Sequence, residues 1–336
     1  MQEKQKRYKV LQGLHVMKDN PKLRVLVLDI SPKCNFNCRY CYGKEMSHKV
    51  RGCALKFDNY IDLLNQAKQF GVKTIWLMGA HENTLSPMYL ELLKLIDQLS
   101  LFSVTFTNGA AFGDDQIARQ TFGLSCEEFT RQVAEIQSTA VILKTDSFVT
   151  EVQNELAGNK NAFNQILQAR ENCLKHFSPS ELPRFGLNTV LTNLNYMEVN
   201  RILEFSLQND LVHFCDAVLQ SGNARKNYLE VTTEQMQHCL SRMQIVLDKF
   251  AIDEKATLLV NCYEQKCILF DNYFFITHCG DVLPCAGFPE RKAYLGNVLR
   301  EPLAILWQKK LRLVKKYYGL KCKKCPCRVH LEDDLI

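Results

Sequence analysis

From Arg24 onward the chain alternates short apolar runs with longer stretches in which apolar residues recur at helical spacing. Six runs, RVLVLDI (24–30), KTIWLM (73–78), FSVTFT (102–107), AVILKT (140–145), RFGLNTVL (184–191) and VHFCDAVLQ (212–220), read as strands, each followed by Gly, Asn or Ser punctuation. Between and after them Phe163, Ile166, Leu167 and Leu174, then Tyr196, Val199 and Leu203, then Met236, Leu240, Met243 and Phe250 mark helix faces. Alternation of strand and helix predicts an α/β fold with a parallel sheet and helices outside it. The sheet is either open and doubly wound or a partial barrel, and both place the chemistry at the carboxyl ends of the strands.

Beyond about residue 255 the texture changes. CILFDNYFFITHCGDVLPC (267–285) alternates apolar and polar residues around a Cys-Gly-Asp turn and predicts a β-hairpin; a helix-like stretch follows over 295–319, then a thiol-rich tail. The expected organisation is an extension over 1–23, a core over 24–225, a connecting helix over 226–255 and a small second domain over 256–336. No repeat and no low-complexity segment is evident.

Composition narrows the class. With 46% hydrophobic and 23% charged residues, 15 Gly and 9 Pro in 336, the chain is an ordinary globular sequence, which excludes disorder, collagen and coiled coil. No run approaches the roughly 18 to 20 apolar residues of a membrane helix, and the charged start lacks the apolar core of a signal peptide. A cytoplasmic protein with no membrane association is expected. The net charge of +6 is mild and does not by itself point to nucleic acid. The 15 cysteines are the unusual feature: in a reducing compartment, and odd in number, they point to metal rather than to disulfides.

Cys34, Cys38 and Cys41 stand in a CxxxCxxC spacing directly after the first strand. Three thiolates on one loop can converge on a metal centre. A structural zinc site would need a fourth ligand, for which His48 and Cys53 are the next candidates, whereas a cubane iron–sulfur cluster held by three cysteines keeps one iron open. The triplet, with Tyr40 before its last cysteine, resembles the signature of the radical S-adenosylmethionine (SAM) superfamily. The resemblance implies a partial (β/α)6, TIM-like barrel, a [4Fe-4S] cluster on the three cysteines, and SAM chelated by the open iron. It also implies reductive cleavage to a 5′-deoxyadenosyl radical that abstracts hydrogen from substrate.

The same resemblance suggests SAM contacts at the strand ends. MGAHEN (78–83) stands where the family has a GGEP-like turn: Gly79 and Glu82 match, while His81 and Asn83 replace Gly and Pro. Glu82 would accept the SAM ammonium. Asn108 after the third strand, Lys144, Asp146 and Ser147 after the fourth, Asn188 on the fifth and Gln220 after the sixth are further expected cofactor ligands, with Tyr40. Ordinary turn chemistry explains Asn-Gly and Asp-Ser equally well.

The C-terminal thiols are Cys262, Cys267, Cys279, Cys285, Cys322, Cys325 and Cys327. Their spacing, with GDVLPCAGF and LGNVLREPLAILW, resembles the SPASM/twitch extension of radical SAM enzymes. One auxiliary [4Fe-4S] cluster is expected on Cys267, Cys285, Cys322 and Cys325, with Cys262 or Cys327 as alternates. A zinc ribbon is the other reading of four such thiolates. Cys173 and Cys239 fall on apolar helix faces and read as core; Cys215, near the end of the sixth strand, is a candidate hydrogen donor to a product radical. Residues 309–324 hold eight basic side chains and no acidic one, which reads as a solvated helix face or a docking surface.

The expected activity is modification of a peptide or protein. A dehydrogenase or epimerase acting on a small molecule such as a sugar-derived alcohol is the second reading, and a non-catalytic zinc- or nucleic-acid-binding protein the third. Only about 23 residues precede the first strand, which counts against a leader-peptide-binding domain. Expected partners are the substrate and an electron donor such as flavodoxin or ferredoxin.

Overall fold

The computed structural model describes residues 22–45, 54–177, 183–219, 221–256, 259–261, 272–286 and 294–319. All six predicted strands form: β1 (Val25–Leu28), β2 (Thr74–Leu77), β3 (Phe102–Thr107), β4 (Thr139–Lys144), β5 (Phe185–Leu191) and β6 (Val212–Ala217). They pair in parallel in chain order, each with the next, through the ladders from Val25 beside Thr74 to Leu191 beside Ala217.

Helices lie in the crossovers. Between β1 and β4 these are α1 (Phe57–Gln69), α2 (Tyr89–Gln98), α3 (Ala110–Gly113), α4 (Asp115–Phe122) and α5 (Cys126–Glu135). Later come α6 (Thr150–Ala157), α7 (Ala162–His176), α8 (Val199–Gln208), α9 (Ala224–Asn227) and α10 (Thr233–Lys249). Local sequence sets several of the starts: Ser125 Oγ accepts the Glu128 N–H at 3.1 Å before α5, and Thr232 with Gln235 makes a reciprocal capping box before α10.

The C-terminal segment does more than append a hairpin. β7 (Val260–Asn261) joins β6 in parallel, and β8 (Tyr273–Ile276) joins β1 in parallel. β9 (Asp281–Leu283) turns back antiparallel to β8, as the Cys-Gly-Asp turn predicts, and β10 (Gly296–Asn297) follows antiparallel to β9. Among the described residues the result is one ten-stranded sheet in the order β10-β9-β8-β1-β2-β3-β4-β5-β6-β7, so ladder hydrogen bonds cross the expected boundary at residue 256. Among the described residues its edges, β10 and β7, are not paired with each other, which leaves a partial barrel rather than a closed one. The helix-like stretch 295–319 is corrected: it opens with β10, and α11 (Leu303–Gly319) begins only after Pro302. Asn297 Nδ2 donates to the Cys279 carbonyl at 3.0 Å and to Asp281 Oδ1 at 2.9 Å, holding this part of the chain extended.

The period of two along each strand divides the core. Val25, Val27, Trp76, Val104, Ala140, Ile142, Val212, Phe214, Tyr273 and Phe275 fill the concave interior. Leu26, Leu28, Ile75, Leu77, Val141, Leu143 and Leu187 face the helices and pack with Leu64, Leu93, Phe129 and Ile166. Cys173 and Cys239 are fully buried on their helices, as expected of core residues. Lys310 departs from the reading of a solvated basic face: it is fully buried in α11, its Nζ donating to the Pro284 carbonyl and lying 5.5 Å from the Tyr273 ring centroid.

Candidate active site

The mouth of the sheet, at the carboxyl ends of its parallel strands, gathers the polar residues of the interior. Cys34, Cys38 and Cys41 follow β1 on one loop. Short bonds from distant elements shape that loop. Asn37 and Arg39 donate backbone N–H groups to Ala157 and Leu156 at the end of α6, at 3.0 and 2.9 Å. Asn223 donates from its side chain to the Cys38 carbonyl and from its backbone to the Cys41 carbonyl, both at 2.9 Å, and Asn227 Nδ2 donates to the Arg39 carbonyl at 2.7 Å. Gly222 has φ +58°, and a Cβ there would overlap the Cys41 carbonyl, so this approach requires glycine.

The thiols feel one another. Burial pushes the Cys38 thiol up to about 11, with Lys144 opposing and the charge of Cys41 adding to the shift. Cys34 is an exposed residue, yet the protein around its thiol, then Glu82, Cys38 and Cys41, raise it to about 12. Thiolates that repel one another on a shaped loop are the donor set a cationic iron centre stabilises, and three of them leave one iron of a cubane for a non-protein ligand. The residues present fit the cluster. The group supplies the reductive cleavage of SAM when bound; the loop supplies its position.

Around the loop, the structure brings Tyr40, Lys144 and Asp146 together. Tyr40 Oη donates to Asp146 Oδ2 at 2.6 Å, Lys144 Nζ pairs with the same oxygen, and Lys144 lies 5.0 Å from the Tyr40 ring centroid. Burial works against the Lys144 charge, but Asp146 and Cys38 outweigh it and its pKa is raised. Asn188 Nδ2 donates to Asp216 Oδ2 at 2.6 Å on the neighbouring inward positions of β5 and β6. Gly79 accepts the Tyr42 hydroxyl at 2.8 Å through its carbonyl, tying the turn after β2 to the cysteine loop.

Several expected ligands have other partners. Glu82 is 3% exposed: its Oε1 accepts from Thr84 Oγ1 and Thr107 Oγ1 at 2.7 Å, and its Oε2 from the Asn108 N–H at 2.7 Å. Burial pushes its pKa up against these bonds, and its carboxylate ties β2 to β3. Asn108 Nδ2 donates to Asn35 Oδ1 at 2.8 Å and approaches Cys34 Sγ at 3.7 Å, bracing the cysteine loop. Ser147 donates its hydroxyl to Glu198 Oε2 at 2.8 Å and is buried. Cys215, the expected hydrogen donor, stands away from the mouth. It is fully buried among Val199, Leu203, Met236 and Cys239 on the helix side of β6, one residue out of phase with the inward-facing Phe214 and Asp216.

Asn227 and Gln165, which help brace the loop, carry no motif that sequence reading could have used; Gln165 Oε1 accepts from Asn35 Nδ2 at 2.8 Å. Of the expected auxiliary ligands, Cys285 is buried beside Tyr273, whose hydroxyl lies 2.7 Å from its Sγ. Cys262, Cys267, Cys322, Cys325, Cys327 and Gln220 lie outside the described residues, as do His48 and Cys53.

Comparison with known families agrees with this arrangement. The radical SAM superfamily description matches residues 28–206, slightly more than half of the chain and spanning the cysteine loop and the mouth. The chain belongs to the radical SAM superfamily. An iron–sulfur cluster-binding SPASM domain matches residues 267–326 of this radical SAM enzyme. It binds SAM and [4Fe-4S] clusters, and the reading as a non-catalytic zinc or nucleic-acid protein is set aside. A curated relative from Pyrococcus furiosus, described as a tungsten-containing aldehyde ferredoxin oxidoreductase cofactor-modifying protein, is 22% identical over 91% of this chain and 88% of its own. Among solved structures, Streptococcus suis SuiB bound to precursor peptide SuiA superposes with a TM-score of 0.65 at 16% identity, covering 90% of this chain and 68% of that one. Native anSMEcpe with bound AdoMet and a Kp18Cys peptide gives 0.64 at 19% identity, covering 91% and 87%. These likenesses establish the fold. Among the described residues, no helix is long and apolar enough to cross a membrane.

Proposed function

We propose that this radical SAM enzyme abstracts hydrogen from a side chain or backbone position of a peptide or protein. The observation that carries the reading is the unclosed sheet: among the described residues its edges β10 and β7 do not pair, and the cysteine loop stands at the mouth of the resulting partial barrel. A closed barrel admits only what fits its lumen, whereas an open mouth accepts one residue of a chain whose remainder stays outside. The two solved relatives named with peptides support the same substrate class.

In this reading the loop bonds from Asn223, Asn227 and Asn108 keep the three cysteines in place. Tyr40, Lys144 and Asp146 line one wall of the mouth, and Asn188 with Asp216 presents polar groups deeper inside. Trp76, Phe106 and Phe214, with ring centroids 5.2 and 5.5 Å apart in sequence, fill the interior below and exclude water. Cys285, with Cys267, Cys322 and Cys325, holds a single auxiliary cluster; flavodoxin or ferredoxin supplies the electron.

The second reading, a dehydrogenase or epimerase of a small polar alcohol, draws on the inward amide and carboxylate of Asn188 and Asp216. One experiment separates the two. Reconstituted enzyme, SAM and a low-potential reductant are incubated with perdeuterated cell extract split by size, and deuterium in 5′-deoxyadenosine is measured by mass spectrometry. Transfer from the peptide fraction is expected; transfer from the small-molecule fraction alone would replace peptide modification with the second reading.

A further inference from the structure

Three ligand-type side chains meet at the mouth without belonging to the cysteine loop. Asp29 directly follows β1, His81 stands in the turn after β2 where the family has glycine, and His278 lies in the turn between β8 and β9. One oxygen or nitrogen from each lies within 4.8 Å of the others.

Ordinary hydrogen bonding satisfies only part of this group. Asp29 is 2% exposed, and its Oδ2 accepts the Ala80 N–H at 3.2 Å and faces His81 Nδ1 at 3.0 Å. Asp29 Oδ1 and His278 Nδ1 are buried and have no hydrogen-bond partner. A histidine present only to orient Asp29 would leave both atoms unmatched, at the cost that any unpaired buried polar atom carries. The rings of His81 and His278 stand edge to face, 5.5 Å apart, so both can turn a nitrogen toward the carboxylate. A Cβ on Gly79 would overlap the Asp29 carboxylate, so the turn is cut to admit it.

We propose that Asp29, His81 and His278 form a mononuclear site for a divalent first-row metal ion of the zinc(II) type, distinct from both iron–sulfur sites. Two imidazoles and a carboxylate suit zinc or iron(II) rather than magnesium or calcium. Bonds of about 2.0 to 2.2 Å place tetrahedral ligand atoms roughly 3.3 to 3.6 Å apart, inside the 4.8 Å within which the three groups already lie. Three protein ligands leave a fourth position for water or an oxygen of substrate.

The site ties three loops together. Cys41 Sγ lies 4.0 Å from the carbonyl of Ala80, between Gly79 and His81, while the His278 carbonyl accepts the Leu55 N–H at 2.7 Å. A bound ion would hold the β8–β9 turn against the turn flanking the cysteine loop. The inference does not depend on the substrate class proposed above.

The test is zinc binding by full-length protein reconstituted with iron and sulfide, then chelator-washed to remove loosely held iron. Zinc sulfate is titrated against a chromophoric chelator for the wild type and for Asp29→Asn, His81→Ala and His278→Gln, with iron content measured throughout. One zinc per chain is expected in the wild type, weakened about 100-fold or more in each variant at unchanged iron, as loss of one of three ligands implies. Cobalt(II) in the same site should show d–d bands without thiolate charge transfer. No zinc bound by the wild type, equal affinity in the variants, or a thiolate-to-cobalt band would overturn the proposal. Should Asp29→Asn or His81→Ala lose iron as well, His278→Gln decides alone, because it lies outside the cysteine loop and its flanking turn.

Discussion

The phenol of Tyr40 hydrogen-bonds Asp146 Oδ2 at 2.6 Å, joining the cysteine loop to the end of the fourth strand across 106 positions of sequence. The other carboxylate oxygen accepts the Val190 N–H at 3.0 Å, so a single buried Asp146 connects the loop, β4 and β5. Lys144 completes the group and sets a positive charge beside Cys38. Tyr40→Phe is expected to lower unfolding free energy by about 1 to 3 kcal/mol, the usual cost of losing a hydrogen bond to a charged group. Iron content should stay at the wild-type value. Lys144→Met is expected to act on iron instead, because Cys38 loses the charge that favours its thiolate. Denaturant unfolding and iron analysis of the two variants distinguish these effects.

Reconstituted enzyme should hold about eight irons per chain, falling to about four when Cys34, Cys38 and Cys41 are all replaced by alanine, with sulfide in step. About four falling to none would remove the auxiliary cluster from the description and leave the SAM-binding cluster.

Gly222→Ala places a Cβ against the Cys41 carbonyl at φ +58°. The left-handed backbone alone costs an L-residue about 1 to 2 kcal/mol, and the overlap must also push the loop away. Lower iron retention with near-normal secondary structure by circular dichroism is expected; a variant with full iron and wild-type SAM affinity would show that the loop has slack there.

Cys215→Ala should leave 5′-deoxyadenosine formation and the product pattern unchanged, while costing roughly 1 kcal/mol of stability for the small void it opens in the helix-side core. A change of product with intact folding would return this thiol to the reaction.

His213 is buried beside Thr189, 3.0 Å from its hydroxyl, and burial depresses its pKa from 6.5 to about 4. A base whose folded pKa is depressed contributes stability above its unfolded pKa and loses it as pH falls toward the folded value. Wild-type stability should therefore drop as pH falls from 6.5 toward about 4, by up to roughly 3 kcal/mol from this group. His213→Gln should flatten that part of the profile, measured as urea unfolding across the window; identical slopes would assign the acid loss to other groups.

The order of strands, the parallel sheet, the cysteine loop and its place after β1 were legible in the sequence because each rests on local pattern: apolar runs, punctuation and a three-thiol spacing. The buried cysteines of α7 and α10 were legible for the same reason. Period two says that Cys215 and Asp216 face opposite sides of the sheet but not which side is the interior, and that depended on where α8 and α10 pack. The engagement of Glu82 by Thr84, Thr107 and Asn108, the bracing of the loop by Asn223 and Asn227, and the meeting of Asp29, His81 and His278 carry no local signature. Their partners come from separate strand ends, which the parallel pairing of β8, β1, β2 and β3 and the bending of the sheet toward β6 bring together. A parallel ladder sets β8 beside β1, so a segment that reads as a separate hairpin completes the wall beside the cysteine loop.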